Sequence, residues 1–336
     1  MMIAHRPKES AATLAGVSGG IQNHERSHYN LTASQRQRAA MVPCDPVAGL
    51  LDAMLSAGIR PVDAGAIVAD GVLRRFDVEG DRRGSRNGWA VLYHDHGAGG
   101  SWKTGVSCAW SSKSTARMTR QEKDLFYRQM RAAKAEAQRQ RDAEHAAAAE
   151  RASMLWDKAK PATAQHAYLV RKRIAPGNAR QTGELLVLKI EDVNGNTRSL
   201  QYIGPDGTKR MLTGGAKKGH FIIVQGALPA DLIVIAEGFA TASTAATQFP
   251  GAAVLAAIDA GNLEPVALAI RSKHPAAEIV VCADDDRQTF GNPGLTKARA
   301  AAAAVHGKLV RPIWPDGAPE SLTDLNDLAV FMEVSA

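Results

Sequence analysis

The sequence has 336 residues, 45% hydrophobic and 22% charged, a globular composition with room for two or three domains. No run of 18 or more apolar residues occurs, so no membrane span is expected; the first twenty residues lack an apolar core of signal-peptide length, and cytoplasmic residence is expected. The net charge of +7 divides into +11 over residues 1–180 and −4 over residues 181–336, which points to a polyanion held by the front half and metal chemistry in the back half.

Three cysteines, Cys44, Cys108 and Cys282, form no CxxC pair. Neither a disulfide framework nor a zinc ribbon is expected.

Residues 1–42 are polar and without periodicity, and read as a flexible arm. Residues 46–75 read as two short helical pieces with a break near Gly58. Across residues 75–110, alternation in WAVLYH and turn signals at Gly84, Gly88 and GAGG predict a small antiparallel sheet. Arg82, Arg83, Arg86 and Lys103 lie around its turns among Trp89, Trp102 and Trp110. That mixture suits nucleic-acid contact, and a core role for the tryptophans is as good a reading. His94 and His96 read as solvated turn residues rather than a metal pair, since no cysteine is near.

Residues 119–158 predict one long helix, opened by Thr119 and Glu122 as a capping box. It lacks a wide apolar stripe and reads as an exposed spacer. HAYLVRKRI predicts a short helix with a basic end. ELLVLKIED and NTRSLQYIGPDGTKRML predict paired strands with turns at NGN and PDG, and GGAKKGHFIIV a basic loop running into a strand. From residue 231 onward strands and helices alternate, with near-continuous apolar strands. This implies a parallel sheet covered on both faces.

In such sheets ligands bind beyond the carboxyl ends of the strands. Three acidic groups fall there: Glu237 after DLIVIA, the triplet Asp284, Asp285 and Asp286 after EIVVCA, and Asp324 with Asp327 in TDLND. Asp284 and Asp286 share a direction by the two-residue period and can chelate one or two Mg²⁺ ions, with room left for phosphate oxygens. Asp285 points away by the same rule and is expected to be solvated. Gly238 permits a tight turn and a phosphate at the following helix N-terminus.

A Glu at one strand end and a DxD about fifty residues later, each in a βα unit, resemble the Toprim fold. IAEGFATA, AIDAGNL, CADDDRQTFGNPGLTKA and TDLNDL are similar to the Toprim primases of plasmids and phages. Upstream, HAYLVRKRI and SLQYIGPDGTKRMLTGGAKKGHF resemble that family's polymerase-specific segment. The resemblance covers roughly residues 75–330. It implies a Toprim-type α/β sheet flanked by helices, preceded by a small α+β subdomain and a long helix. The implied organisation is an arm (1–42), a small N-terminal domain (43–118), a helical linker (119–160), a basic primase-like subdomain (161–229) and a Toprim catalytic domain (230–336).

By the same resemblance Glu237, Asp284 and Asp286 are the catalytic metal ligands, and Asp324 and Asp327 help hold a second ion. Lys209, Arg210, Lys217 and Lys218 face template or nucleoside triphosphate, and Arg287 and Lys297 bind triphosphate. The implied cofactor is Mg²⁺ or Mn²⁺, as two ions. The implied partners are single-stranded DNA, nucleoside triphosphates and a replicative helicase acting in trans. Primer synthesis by two-metal nucleotidyl transfer is the activity expected; a Toprim nuclease and a non-catalytic DNA-binding accessory protein are the alternatives.

Overall fold

The computed structural model describes residues 45–113 and 118–335. The arm expected over residues 1–42 lies outside them, as does Cys44. The described residues fall into two compact units that divide between Thr119 and Arg120. Among them no helix is long and apolar enough to cross a membrane.

The first unit opens with helix α1 (Pro46–Ser56), whose first turn is capped by the Asp45 carboxylate accepting from the Val47 N–H. A four-stranded antiparallel sheet follows in the order β1 (Arg74–Phe76), β2 (Gly88–Leu92), β3 (His96–Ser101), β4 (Ser107–Ser111). Helix α1 lies on the glycines of β3: a methyl group added at Gly99 would come within 2.8 Å of the Met54 sulfur. The second expected helical piece is only a single 3₁₀ turn, Ala64–Ala66. Trp110 packs against this core, Trp89 is buried against Gly100, and Trp102 is covered by Arg75 at 4.4 Å. Of the two turn histidines only His94 is exposed. His96 is buried, stacked on Tyr93 and bonded to Asp95, because its strand faces inward there.

The second unit begins with helix α2 (Arg120–Lys158). Its C-terminal part is no free spacer, since Ala152 packs with Ala159, Val187 and Leu200. Alanine spacing gives a narrow stripe that lets backbones approach closely. The sheet it meets is antiparallel, in the order β5 (Lys160–Pro161), β6 (Arg180–Thr182), β7 (Leu185–Glu191), β8 (Thr197–Ile203), β9 (Lys209–Met211). Short helix α3 (Ala167–Lys172) lies between β5 and β6 in the chain.

The last third alternates: β10 (Ile222–Gln225), β11 (Leu232–Ala236), α4 (Phe239–Gln248), β12 (Ala253–Ala256), α5 (Leu263–Lys273), β13 (Glu278–Cys282), α6 (Pro293–Ala304), β14 (Lys308–Val310) and α7 (Leu325–Ser335). The sheet order is β10-β12-β11-β13-β14. The last four pair in parallel, as expected, whereas β10 runs antiparallel to β12 and makes the sheet mixed. An antiparallel edge on a parallel sheet needs no crossover helix, so local pattern alone does not reveal it.

Both faces of the parallel strands are covered. Val234, Ala236, Val254 and Val280 pack with α4, Leu325 and the strands β7 and β8. Ile233, Ile235, Leu255, Ile279 and Val281 pack with α5 and α6. Successive residues of one strand thus serve opposite cores, which is why the runs look continuously apolar.

Candidate metal centre

The chain leaves β11 toward β12 on one side and returns through α5 to β13 on the other. Right-handed crossovers then put α4 and α5 on opposite faces, and a crevice opens between the ends of β11 and β13. Ala236 and Cys282 are paired in register. Glu237 lies one residue past the first strand and Asp284 two residues past the second, on the two sides of that crevice.

Burial, then the carboxylates of Glu237, Asp324 and Asp286, push the Asp284 carboxyl up to about 8, with Lys209 opposing. Burial and Asp286 also raise Glu237, against the Ala260 N–H and Lys209. Burial, then Asp327, raise Asp324. Four carboxylates from three chain segments therefore feel one another. Lys209 opposes this on Glu237 and Asp284 and Lys172 on Asp324; the Lys209 ammonium would lie 3.5 Å from a methyl group placed on Gly238.

Among the described residues no three His, Cys, Asp or Glu side chains form a ready-made metal cage. The chemistry of the cluster still fits a hard divalent cation. Asp284 Oδ1 is buried and has no hydrogen-bond partner, and leaving such an acceptor unsatisfied is costly. Mg²⁺ commonly takes one or two carboxylates and completes its shell with water and phosphate oxygens, so a full protein cage is not required.

The metal-facing loop is held from behind by a network that brings in Asn292, Gly294 and Trp314, to which the sequence assigned no role. Asp285 is not solvated. It is 4% exposed, and its oxygens accept from Asn292 Nδ2 at 2.7 Å and Trp314 Nε1 at 3.0 Å. Its backbone N–H donates to the Thr323 carbonyl, one residue before Asp324. Arg287 lies over the Trp314 ring at 4.6 Å and donates to the carbonyls of Pro319 and Leu322. Asp286 accepts from the Gly294 N–H at 2.9 Å, and a side chain at Gly294 would collide with it.

A second latch lies beside Glu237. Asn262 is 1% exposed; its amide donates to the carbonyls of Lys217, His220 and Ala257 and accepts from the Gly219 N–H. It fixes the basic loop against the 3₁₀ turn Ala260–Asn262, whose first N–H meets Glu237. Lys217 is ion-paired with Asp259 in the same corner. Because buried hydrogen bonds contribute about 1 kcal/mol each and their loss strands partners, Asn262→Ala is expected to cost roughly 2–3 kcal/mol, readable by urea denaturation.

The other expected binding residues are distributed differently. Arg210 alternates away from Lys209 along β9, interacts with Asp206 and lines a separate shallow cavity with Leu185 and Tyr202. Asp327 pairs with Lys172 at 2.9 Å and accepts from the Thr323 N–H, while its own N–H donates to Asp324, so Asp324 caps α7 and Asp327 ties the first turn back to Thr323. Lys218 and Lys297 are exposed.

Residues 232–331 match the Toprim domain family. They form a Toprim domain. Two relatives from Escherichia coli, both named DNA primase TraC, are similar to this chain at 36% identity over 298 residues and 37% over 313 residues. The alignments cover 84% and 87% of this chain but only 27% and 21% of the relatives, so the chain spans about a quarter of their length. The similarity reaches well beyond the Toprim domain. The crystal structure of the primase fragment of the bacteriophage T7 primase-helicase protein aligns at 15% identity over 54% of this chain and 74% of that one, with a TM-score of 0.37.

Proposed function

We propose that this chain is a DNA primase that makes short RNA primers on single-stranded DNA, in plasmid or phage replication. The observation that carries the reading is the convergence of Glu237, Asp284, Asp286 and Asp324 at the Toprim switch point, with the unpartnered Asp284 oxygen at its centre. The similarity to proteins named as primases over most of the chain favours synthesis over cleavage.

Glu237, Asp284 and Asp286 would hold Mg²⁺ or Mn²⁺, with Asp324 toward a second ion and Asp327 orienting it. Bound ions would supply activation of a 3′-hydroxyl and neutralisation of charge at the leaving pyrophosphate. Lys209 binds a phosphate oxygen next to the cluster and offsets its negative charge. Gly238 leaves the α4 N-terminus without a side-chain cap, where backbone N–H groups orient phosphate. Lys217, held by Asp259, and the exposed Lys218 add positive charge from the loop that Asn262 fixes. Arg210, on the other face of β9, would meet the template backbone away from the metals. A replicative helicase acting in trans would deliver the single strand.

The test is a de novo assay with single-stranded DNA, labelled nucleoside triphosphates and Mg²⁺ or Mn²⁺. Short, template-dependent labelled products are expected. A degraded template without products would point to a nuclease, and binding with neither would point to an accessory protein.

A further inference from the structure

The loop between β13 and α6 ends in a fully exposed aromatic ring. Phe290 is 104% exposed, the most exposed large apolar side chain among the described residues. Ordinarily such a ring on a loose loop carries no meaning. This loop is tightly bonded. The Thr289 N–H donates to the Asp286 carbonyl and the Asn292 N–H to Thr289. Asn292 accepts from Asp286 and donates to Asp285, and the Thr296 hydroxyl donates to Gly291. Gly291 and Asn292 take positive φ, so the chain turns sharply straight after the ring. A rigid hairpin anchored on the metal-holding residues therefore presents Phe290 to solvent four residues past Asp286.

The surroundings select the ligand class. From Arg287 to Gly307 the chain contains no acidic residue, while Lys297 and Arg299 are exposed on α6. A fully exposed aromatic face that precedes a helix carrying exposed cations and no acidic residue suits a nucleobase whose phosphates the cations meet. We infer that Phe290 is a substrate-stacking residue that packs on a nucleobase at the mouth of the carboxylate site. The inference rests on the primase reading for its substrate, and names the side chain that takes the base. The base belongs either to single-stranded DNA or to a nucleoside triphosphate.

Phe290 touches no core, so its replacement leaves the fold intact. The test compares wild type, Phe290→Ala, Phe290→Tyr and Phe290→Trp in binding a fluorescent single-stranded oligonucleotide and, in separate arms, ATP and GTP, all with Mg²⁺; no arm holds both template and nucleotide, so no synthesis occurs. Alanine is expected to weaken binding of the true ligand roughly 5- to 100-fold, the range set by removing one base-stacking aromatic. Tyrosine and tryptophan are expected to restore it, and emission from Phe290→Trp, after subtraction of wild type, to be quenched by the same ligand. Oligonucleotide response assigns the base to DNA; nucleotide response assigns it to the triphosphate. Unchanged affinity for both ligands in the alanine variant, with no quenching of the tryptophan variant, would overturn the inference and leave the ring to a protein contact. Primer synthesis by wild type with that outcome would leave the primase reading standing. Stacking without any synthesis would do the reverse.

Discussion

Asp284→Asn is expected to make the metal-free protein more stable near pH 8 and, in the same variant, to abolish metal-dependent activity. The carboxyl of Asp284 is raised to about 8, chiefly by burial and then by the carboxylates around it. In an unfolded chain an aspartate ionises near pH 4, so between about 4 and 8 the folded state keeps a proton that the unfolded state has lost. The sign follows: stability falls as pH rises through that window, and Glu237 and Asp324, also raised, push the same way. Asparagine keeps the shape and cannot ionise, so the slope of melting temperature against pH should flatten. A divalent cation reverses the wild-type slope, because it binds the ionised form and releases the proton. Its affinity should therefore strengthen as pH rises toward 8 in wild type. Activity should fall by more than about a hundredfold in Asp284→Asn, since even outer-shell partners of a metal site are worth about 10- to 100-fold. Thermal melts from pH 5 to 8.5, with and without Mg²⁺, read all of this.

Asp285→Ala is expected to have the opposite stability phenotype. Asp285 is buried with both oxygens bonded to donors from two separate segments. Removing it strands the Trp314 indole N–H and the Asn292 amide, and bonds to a charged acceptor are worth about 1.5–3 kcal/mol each. A loss of roughly 3 kcal/mol is expected in urea denaturation, with partial recovery in Asp285→Asn. The effect on the metal centre is indirect. Through Trp314 the Asp285 side chain ties the loop of Asp284 and Asp286 to the segment leading to Asp324, a link that alanine removes although the backbone bond to Thr323 stays, so metal affinity should fall about 10- to 100-fold, as for other outer-shell partners. The middle residue of the triplet is therefore a positioning residue. Trp314→Phe, which keeps the ring over Arg287 but deletes the indole N–H, should show a smaller loss in the same direction.

The architecture of the second half was legible because its strands are short apolar runs closed by acidic or glycine residues. Glu237 and the triplet at Asp284 fall where a parallel sheet puts its ligands. The rest depended on contacts distant in sequence. Trp314 lies 29 residues beyond Asp285 in an irregular segment, and no period in CADDDR announces that partner. Lys209 and Arg210 are adjacent and chemically alike, and strand alternation alone sends one to the carboxylates and the other to Asp206. The antiparallel edge β10 reads locally like any other apolar strand. The packed part of α2 was hidden because alanines add little to an apolar stripe, although Ala148 and Ala152 are fully buried. Asn262, within the AIDAGNL motif, carries no local sign of its four bonds.

The most direct test of the central claim is de novo primer synthesis by wild type, Glu237→Gln and Asp284→Asn, with oligonucleotide binding measured on the same preparations. Short template-dependent products are expected from wild type, with a loss of more than about a hundredfold in both variants and binding kept within about threefold. Products of equal yield from all three proteins would contradict that claim, because the carboxylates would then have no part in the chemistry.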